Sequence, residues 1–147
     1  MKFQYDDGGR KESGISHVKG DCVTRSIATA TGLSYKFVYH SLNEIALKER
    51  VGKRKKGVSH ASTGVYKYTV NKFLSTWGWT WHPTMFVGSG CKVHLNEKEL
   101  PSGTLIVRVS KHMVTVINHT IYDLSDCSRK GKRCVYGYWQ RHESCSK

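Results

Sequence analysis

The sequence has no long apolar run. No stretch approaches the roughly 18 residues that a membrane-spanning helix needs. Membrane insertion is therefore not expected. The stretch Met1–Asp7 carries no apolar segment, so no secretory leader is expected either. No Cys-x-x-Cys or His-x-x-x-His pair occurs. The late group Cys127, Cys134, His142 and Cys145 fits no common zinc spacing, and no metal is expected. Glycine motifs of the Walker or dinucleotide type are missing, so no cofactor is expected. Internal repeats and low-complexity tracts are missing too. Acidic residues are scarce: 11 Asp and Glu stand against 24 Lys and Arg, a net charge of +13. Such an excess favours nucleic acid or acidic protein surfaces as partners but identifies no fold. The five cysteines are an odd number. With no leader, a cytoplasmic protein with mostly free thiols is expected, not a disulfide framework.

What is there is enough for one domain. A chain of 147 residues can bury a core of its own, and residues 1–147 read as a single domain. Residues 1–19 are polar and glycine-containing and read as a lead-in arm. Asp21 is a good N-cap and Gly32 a good helix-ending residue, with Val23, Ile27 and Ala30 at helical spacing between them. A second helix opens at Ser34, with Leu33 and Val38 spaced as a hydrophobic staple. Tyr35, Val38, Leu42 and Ile45 form its apolar stripe. Residues 48–62 read as a solvated basic loop. A third helix follows between Thr63 and Gly78, with Tyr66, Val70, Phe73, Leu74 and Trp77 on its apolar face.

After Gly78 the period changes. Trp79–Met85 reads as strand-like, and residues 86–103 mostly as loop. Thr104–Val109, His112–Ile117, Thr120–Leu124 and Cys134–Trp139 read as strands. Residues 140–147 read as a polar tail. Helices first and an antiparallel sheet afterwards make the class α+β.

Two places in this layout carry chemistry. Cys22 sits at a helix start, where unpaired N–H groups and the positive helix dipole favour a thiolate, the nucleophilic form. The neighbouring Asp21 opposes that charge, so Cys22 needs a base. The hairpin at 112–124 supplies one. With a two-residue turn at Asn118-His119, Ile117 faces Thr120. His112 and Asp123 then share a face as diagonal neighbours, roughly 7–8 Å apart at the backbone. Asp126 falls on the opposite face and is the reserve. A cysteine, a histidine and an aspartate so placed form a nucleophilic triad.

The segments Gly20–Ala28, His112–Ile117 and Ile121–Asp123, in this order, resemble papain-like cysteine peptidases. The likeness is to the bacteriocin-leader peptidase branch and to small phage and bacterial relatives. It implies a papain-like fold from about Cys22 to Trp139. It implies Cys22 as nucleophile, His112 as base and Asp123 as the orienting acid. The implied substrate is a peptide or isopeptide bond in a protein, cleaved through a thioester, and a phage or viral source is implied as well. Similar peptidases carry a Gln about six residues before the nucleophile as an oxyanion donor. Ser16 stands at that place, followed by His17, and these two are the candidates beside the backbone N–H of Cys22.

A non-catalytic reading uses the charge instead. Lys53, Arg54, Lys55 and Lys56, with Arg129, Lys130, Lys132 and Arg133, are candidates to engage a nucleic acid or an acidic protein. In that reading the chain is a basic binding protein of the same fold.

Overall fold

The computed structural model describes residues 1–16, 18–49 and 57–141. Four helices and six strands are formed, a mixed α+β architecture. Strand β1 spans Lys2–Tyr5, followed by a short helix α1 at Arg10–Ser13. Helices α2 (Cys22–Thr31), α3 (Tyr35–Leu47) and α4 (Lys67–Thr76) come next. Strands β2 (Trp79–Pro83), β3 (Thr104–Val109), β4 (His112–Ile117), β5 (Thr120–Asp123) and β6 (Val135–Arg141) complete the fold.

The sheet runs in the order β1-β5-β4-β3-β6-β2. All pairs are antiparallel except β1 with β5, which is parallel. This corrects two expectations. Residues 2–5 are not an arm but an edge strand beside β5, and the sheet is not wholly antiparallel. The exposed side chains of β1 hide that role, because an edge strand contributes backbone hydrogen bonds and not core.

Both sheet faces are buried. Ile106, Met113 and Trp139 face the helices and pack with Val23, Ile27, Val38, Leu42, Val70 and Leu74. Leu105, Val107, Val109, Val114, Val116 and Ile121 face the other way and are covered by Leu95 and Leu100. That is why β3 reads as a nearly continuous apolar run. Residues 86–103 form no helix or strand, as expected of a loop, yet Leu95 and Leu100 belong to the core.

Helix ends follow local chemistry. Gly32 closes α2 at φ 77°, in the left-handed region that glycine adopts without strain. The Ser34 hydroxyl accepts from Phe37 N at 3.1 Å and caps α3. Helix α4 starts later than the sequence suggests. Tyr66 is extended, and its N–H donates to Ser59 Oγ at 2.9 Å. Tyr66 is therefore exposed and does not join the apolar face, while Trp77 at the other end is partly exposed and packs beside Phe73 and Phe37.

The described part of 48–62 is not solvated loop either. Ser59 and Ala61 are buried, Ala61 N donates to Asn43 Oδ1 at 2.8 Å, and Thr24 Oγ1 donates to Ala61 O at 2.9 Å. The tail differs as well, since Gln140 and Arg141 belong to β6.

The cysteine expectation also needs correction. Cys91 and Cys134 form a disulfide, while Cys22 and Cys127 are free. An isolated β-bridge between His94 and Cys134 holds the two segments side by side, which brings the two sulfurs together. The free-thiol argument for a cytoplasmic setting thereby loses two of its five cysteines. Among the described residues, no helix is long and apolar enough to cross a membrane.

Candidate active site

Helix α2 begins at Cys22, as its sequence dictates. Asp21 precedes it as the N-cap residue but makes no side-chain cap. Its buried carboxylate is taken instead by three other groups. Arg10 Nη1 donates to both oxygens at 3.1 Å, Arg25 Nε donates to Oδ1 at 3.0 Å, and Tyr35 OH donates to Oδ2 at 2.9 Å. The charge next to Cys22 is thus balanced by two guanidinium groups. The opposition expected from Asp21 is largely cancelled. Burial, with Asp21 beside it, keeps Tyr35 protonated by pushing its pKa up.

Helix α2 lies across β4, and hydroxyl groups fix its position. The Ser26 hydroxyl is shared between the carbonyls of Cys22 and Met113, the latter at 3.0 Å. Thr115 Oγ1 donates to Ser26 O at 2.6 Å. Cys22 is one turn before Ser26, and Met113 directly follows His112. The helix start is therefore pinned beside the strand start.

The hairpin forms with Ile117 opposite Thr120, so its register is the one a two-residue turn requires. Asn118 and His119 both adopt positive φ, at 46° and 66°, as such a turn demands. His112 Nε2–H donates to Asp123 Oδ2 at 2.6 Å. The other carboxylate oxygen of Asp123 accepts from Arg25 Nη1 at 2.7 Å and from Leu124 N at 2.7 Å. Asp126 turns elsewhere and accepts from Ser128 N at 2.9 Å.

Electrostatics follow from this chain of contacts. Burial works against the Asp123 charge. The His112 hydrogen bond, the Leu124 N–H and Arg25 outweigh it and hold the carboxyl below its ordinary range. Burial likewise disfavours the His112 cation. Hydrogen bonds to Asp123, Cys127 and Cys22, with the charge of Cys22, overcome that and push His112 up to about 11. Burial also opposes the Arg25 charge, but Asp123 and Asp21 more than compensate. Arg10, Asp21, Arg25, Asp123 and His112 thus form one line of alternating charge, with Cys22 at its end.

With Nε2 committed to Asp123, Nδ1 is the ring nitrogen left for a thiol. The two free thiols among the described residues, Cys127 and Cys22, both interact with the His112 ring. Cys127, Arg10, Arg25 and Tyr35 are members of this site that sequence reasoning missed. The spacing of Asp21 and Arg25, four residues apart on a helix, is a readable signal for one of them. Cys127 lies on an irregular segment where no periodicity applies. One donor atom each of His112, Asp123 and Cys127 lies within 4.8 Å of the others, so these three could hold a cation. Such a cation would compete with Arg25 and with the His112 N–H, which already occupy both oxygens of Asp123.

The remaining candidates are scattered. Ser16 is exposed between α1 and α2. His17, Lys53, Arg54, Lys55, Lys56, His142 and Cys145 lie outside the described residues. Arg129, Lys130 and Lys132 are exposed on the segment between β5 and β6. Arg133 does not present a free charge. It donates from Nη2 to Ser110 O at 2.6 Å and from Nη1 to Cys127 O at 3.3 Å, and so ties down the segment that carries Cys127. Compared with protein-family models, with curated proteins and with solved structures, the chain matches none.

Proposed function

We propose that the protein is a papain-like thiol hydrolase acting on a peptide or isopeptide bond. The observation that carries this reading is the His112 ring, hydrogen-bonded to Asp123 and within electrostatic reach of the Cys127 and Cys22 thiols. The proton of Cys22 rests on His112 as a thiolate–imidazolium pair, and the thiolate attacks the carbonyl carbon of the scissile bond. The backbone N–H of Cys22 stabilises the oxyanion. The tetrahedral intermediate collapses to a thioester as the amine leaves with the proton from His112. Water, deprotonated by His112, then attacks the thioester, and the departing sulfur restores the thiolate–imidazolium pair. Asp123 fixes the ring orientation and stabilises the imidazolium throughout.

An activated ester tests this without knowledge of the substrate. Incubation with p-nitrophenyl acetate should give a transient acetyl adduct on Cys22, mapped by mass spectrometry, with a burst of p-nitrophenolate. Cys22→Ala should abolish the burst. His112→Ala should reduce it by about 10²-fold or more, the usual size of a lost general base. An adduct that forms first on Cys127, or a burst unchanged in Cys22→Ala, would overturn the reading.

The rival reading, a non-catalytic basic binding protein, draws on the exposed Arg129, Lys130 and Lys132. In that case the biological effect should survive Cys22→Ala and fall steeply with salt.

A further inference from the structure

A cleft of about 390 Å³ opens between the start of α4 and the β2–β6 edge of the sheet. Its floor is Trp81. Gly137 allows this, because a Cβ there would run into the Trp81 ring. Its outer rim carries Met85, Phe86 and Val87, all exposed and apolar. Two cations lie within these walls. Lys67 Nζ sits 4.2 Å from the centre of the Trp81 ring, and Arg108 lines the same cleft.

Neither cation has a carboxylate partner among the described residues. Burial and the nearby charge of Arg108 both disfavour the ammonium of Lys67. Two like charges among apolar walls are a costly arrangement that an anion would relieve. Arg108 pairs with Met113 and its neighbour Val109 pairs with His112, so Arg108 and the base lie on adjacent strands with their side chains on opposite faces of the sheet.

We propose that this cleft binds a peptide segment in which a carboxylate side chain adjoins an apolar one. The carboxylate sits between Lys67 and Arg108, and the apolar side chain lies on Trp81 against Met85 and Val87. The walls favour a peptide over a nucleic acid strand. Trp81, Phe86 and Tyr136 offer π-faces, but two cations are few for tracking a phosphate backbone. Choosing a peptide as the occupant rests on the hydrolase reading. The binding itself does not.

The test therefore uses the Cys22→Ala protein, in which binding is read without cleavage. Isothermal titration calorimetry compares acetyl-Gly-Leu-Glu-Leu-Glu-Gly-amide, its Gln counterpart and a short oligothymidylate. The acidic peptide should bind about tenfold or more tightly than the Gln peptide, as charge-assisted hydrogen bonds imply. Arg108→Gln should remove most of that difference and Lys67→Gln a smaller part, while Arg108→Lys should retain it. Thermal melts confirm that each variant is folded. Equal affinity for the two peptides, no binding, or tighter binding of the oligothymidylate would overturn the proposal. A peptide that binds while the protein with Cys22 intact forms no acetyl adduct removes the hydrolase reading and leaves this site standing.

Discussion

On the β4–β5 side of the sheet, Cys22 and Cys127 stay free around His112. Towards the β2–β6 side, Cys91 and Cys134 are bonded to each other. The first pair is surrounded by a continuous line of charged groups that holds each side chain by hydrogen bonds. The second lies beside turns with hydrogen bonds of their own, such as Thr84 Oγ1 to Val135 O at 2.8 Å and His94 to Glu99 at 3.1 Å. Gly88, Gly90 and the exposed Met85–Val87 turn offer little packing, and the covalent link ties that rim to the entry of β6. One region is fixed by electrostatics and leaves its sulfurs available. The other adds a covalent link between its sulfurs to its hydrogen bonds.

The comparison can be broken most severely at Arg25. Its guanidinium bridges Asp21 and Asp123, and its side chain is only 11% exposed. Arg25→Ala leaves two buried carboxylates short of a partner and should cost about 3–5 kcal/mol, read by urea unfolding. A loss below about 1 kcal/mol would mean that Arg10 and His112 suffice on their own.

Next in size is the stapled region. Replacing Cys91 and Cys134 together by Ser opens a link that spans 43 residues. The expected loss is about 2–4 kcal/mol, measured the same way under oxidising conditions. Free Cys22 should alkylate at the same rate in this variant, since the two regions are held independently.

The charged line also predicts a pH profile. The folded pKa of His112 is raised to about 11, above its ordinary 6.5. Its contribution is therefore complete below pH 6.5 and is lost as pH climbs towards 11. The Asp123 pKa is depressed below 3.8. Its contribution is present above 3.8 and is lost as pH falls through the lowered value. Stability should peak between these limits. It should decline on the alkaline side at no more than about 1.4 kcal/mol per pH unit, the slope of one proton. Denaturation curves of His112→Gln should lack that alkaline decline. Asp21, Arg25, Cys22 and Cys127 set the charge environment in both proteins.

The smallest effect sharpens the roles of the two free thiols. Cys127→Ser should change stability by less than about 1 kcal/mol, because the residue is only half-buried. It should leave acetylation of Cys22 intact. Loss of the adduct in this variant would move the nucleophile to Cys127.

Much of this was legible in the residues. Asp21 and Gly32 bracket α2, Ser34 caps α3, and β3 and β4 span the residues that their apolar runs suggest. The diagonal placement of His112 and Asp123 follows from the turn arithmetic, and the hydrogen bond between them is present. Contacts between distant segments were not legible. The pairing of β1 with β5, the Cys91–Cys134 link and the approach of Cys127 to His112 join segments by tertiary packing, which no local period encodes. The role of Asp21 was read locally as a cap and an obstacle to a thiolate. The structure gives it to Arg10, Arg25 and Tyr35, two of which lie more than two helical turns away in sequence.

The parallel pairing of β1 with β5 has a kinetic side. Lys2 lies opposite Thr120 and Tyr5 opposite Asp123, and Asp6 N donates to the Asp123 carbonyl at 3.0 Å. The backbone that positions Asp123 is thus sealed by the most sequence-distant strand pairing in the sheet. During synthesis on a ribosome, β1 emerges early and waits for its partner until nearly the whole sheet has been made. Long-range pairings of this kind close late and slow the folding of a domain. The sheet around Asp123 is therefore expected to be completed late in folding, after the local contacts of α2 and the β3–β4 hairpin.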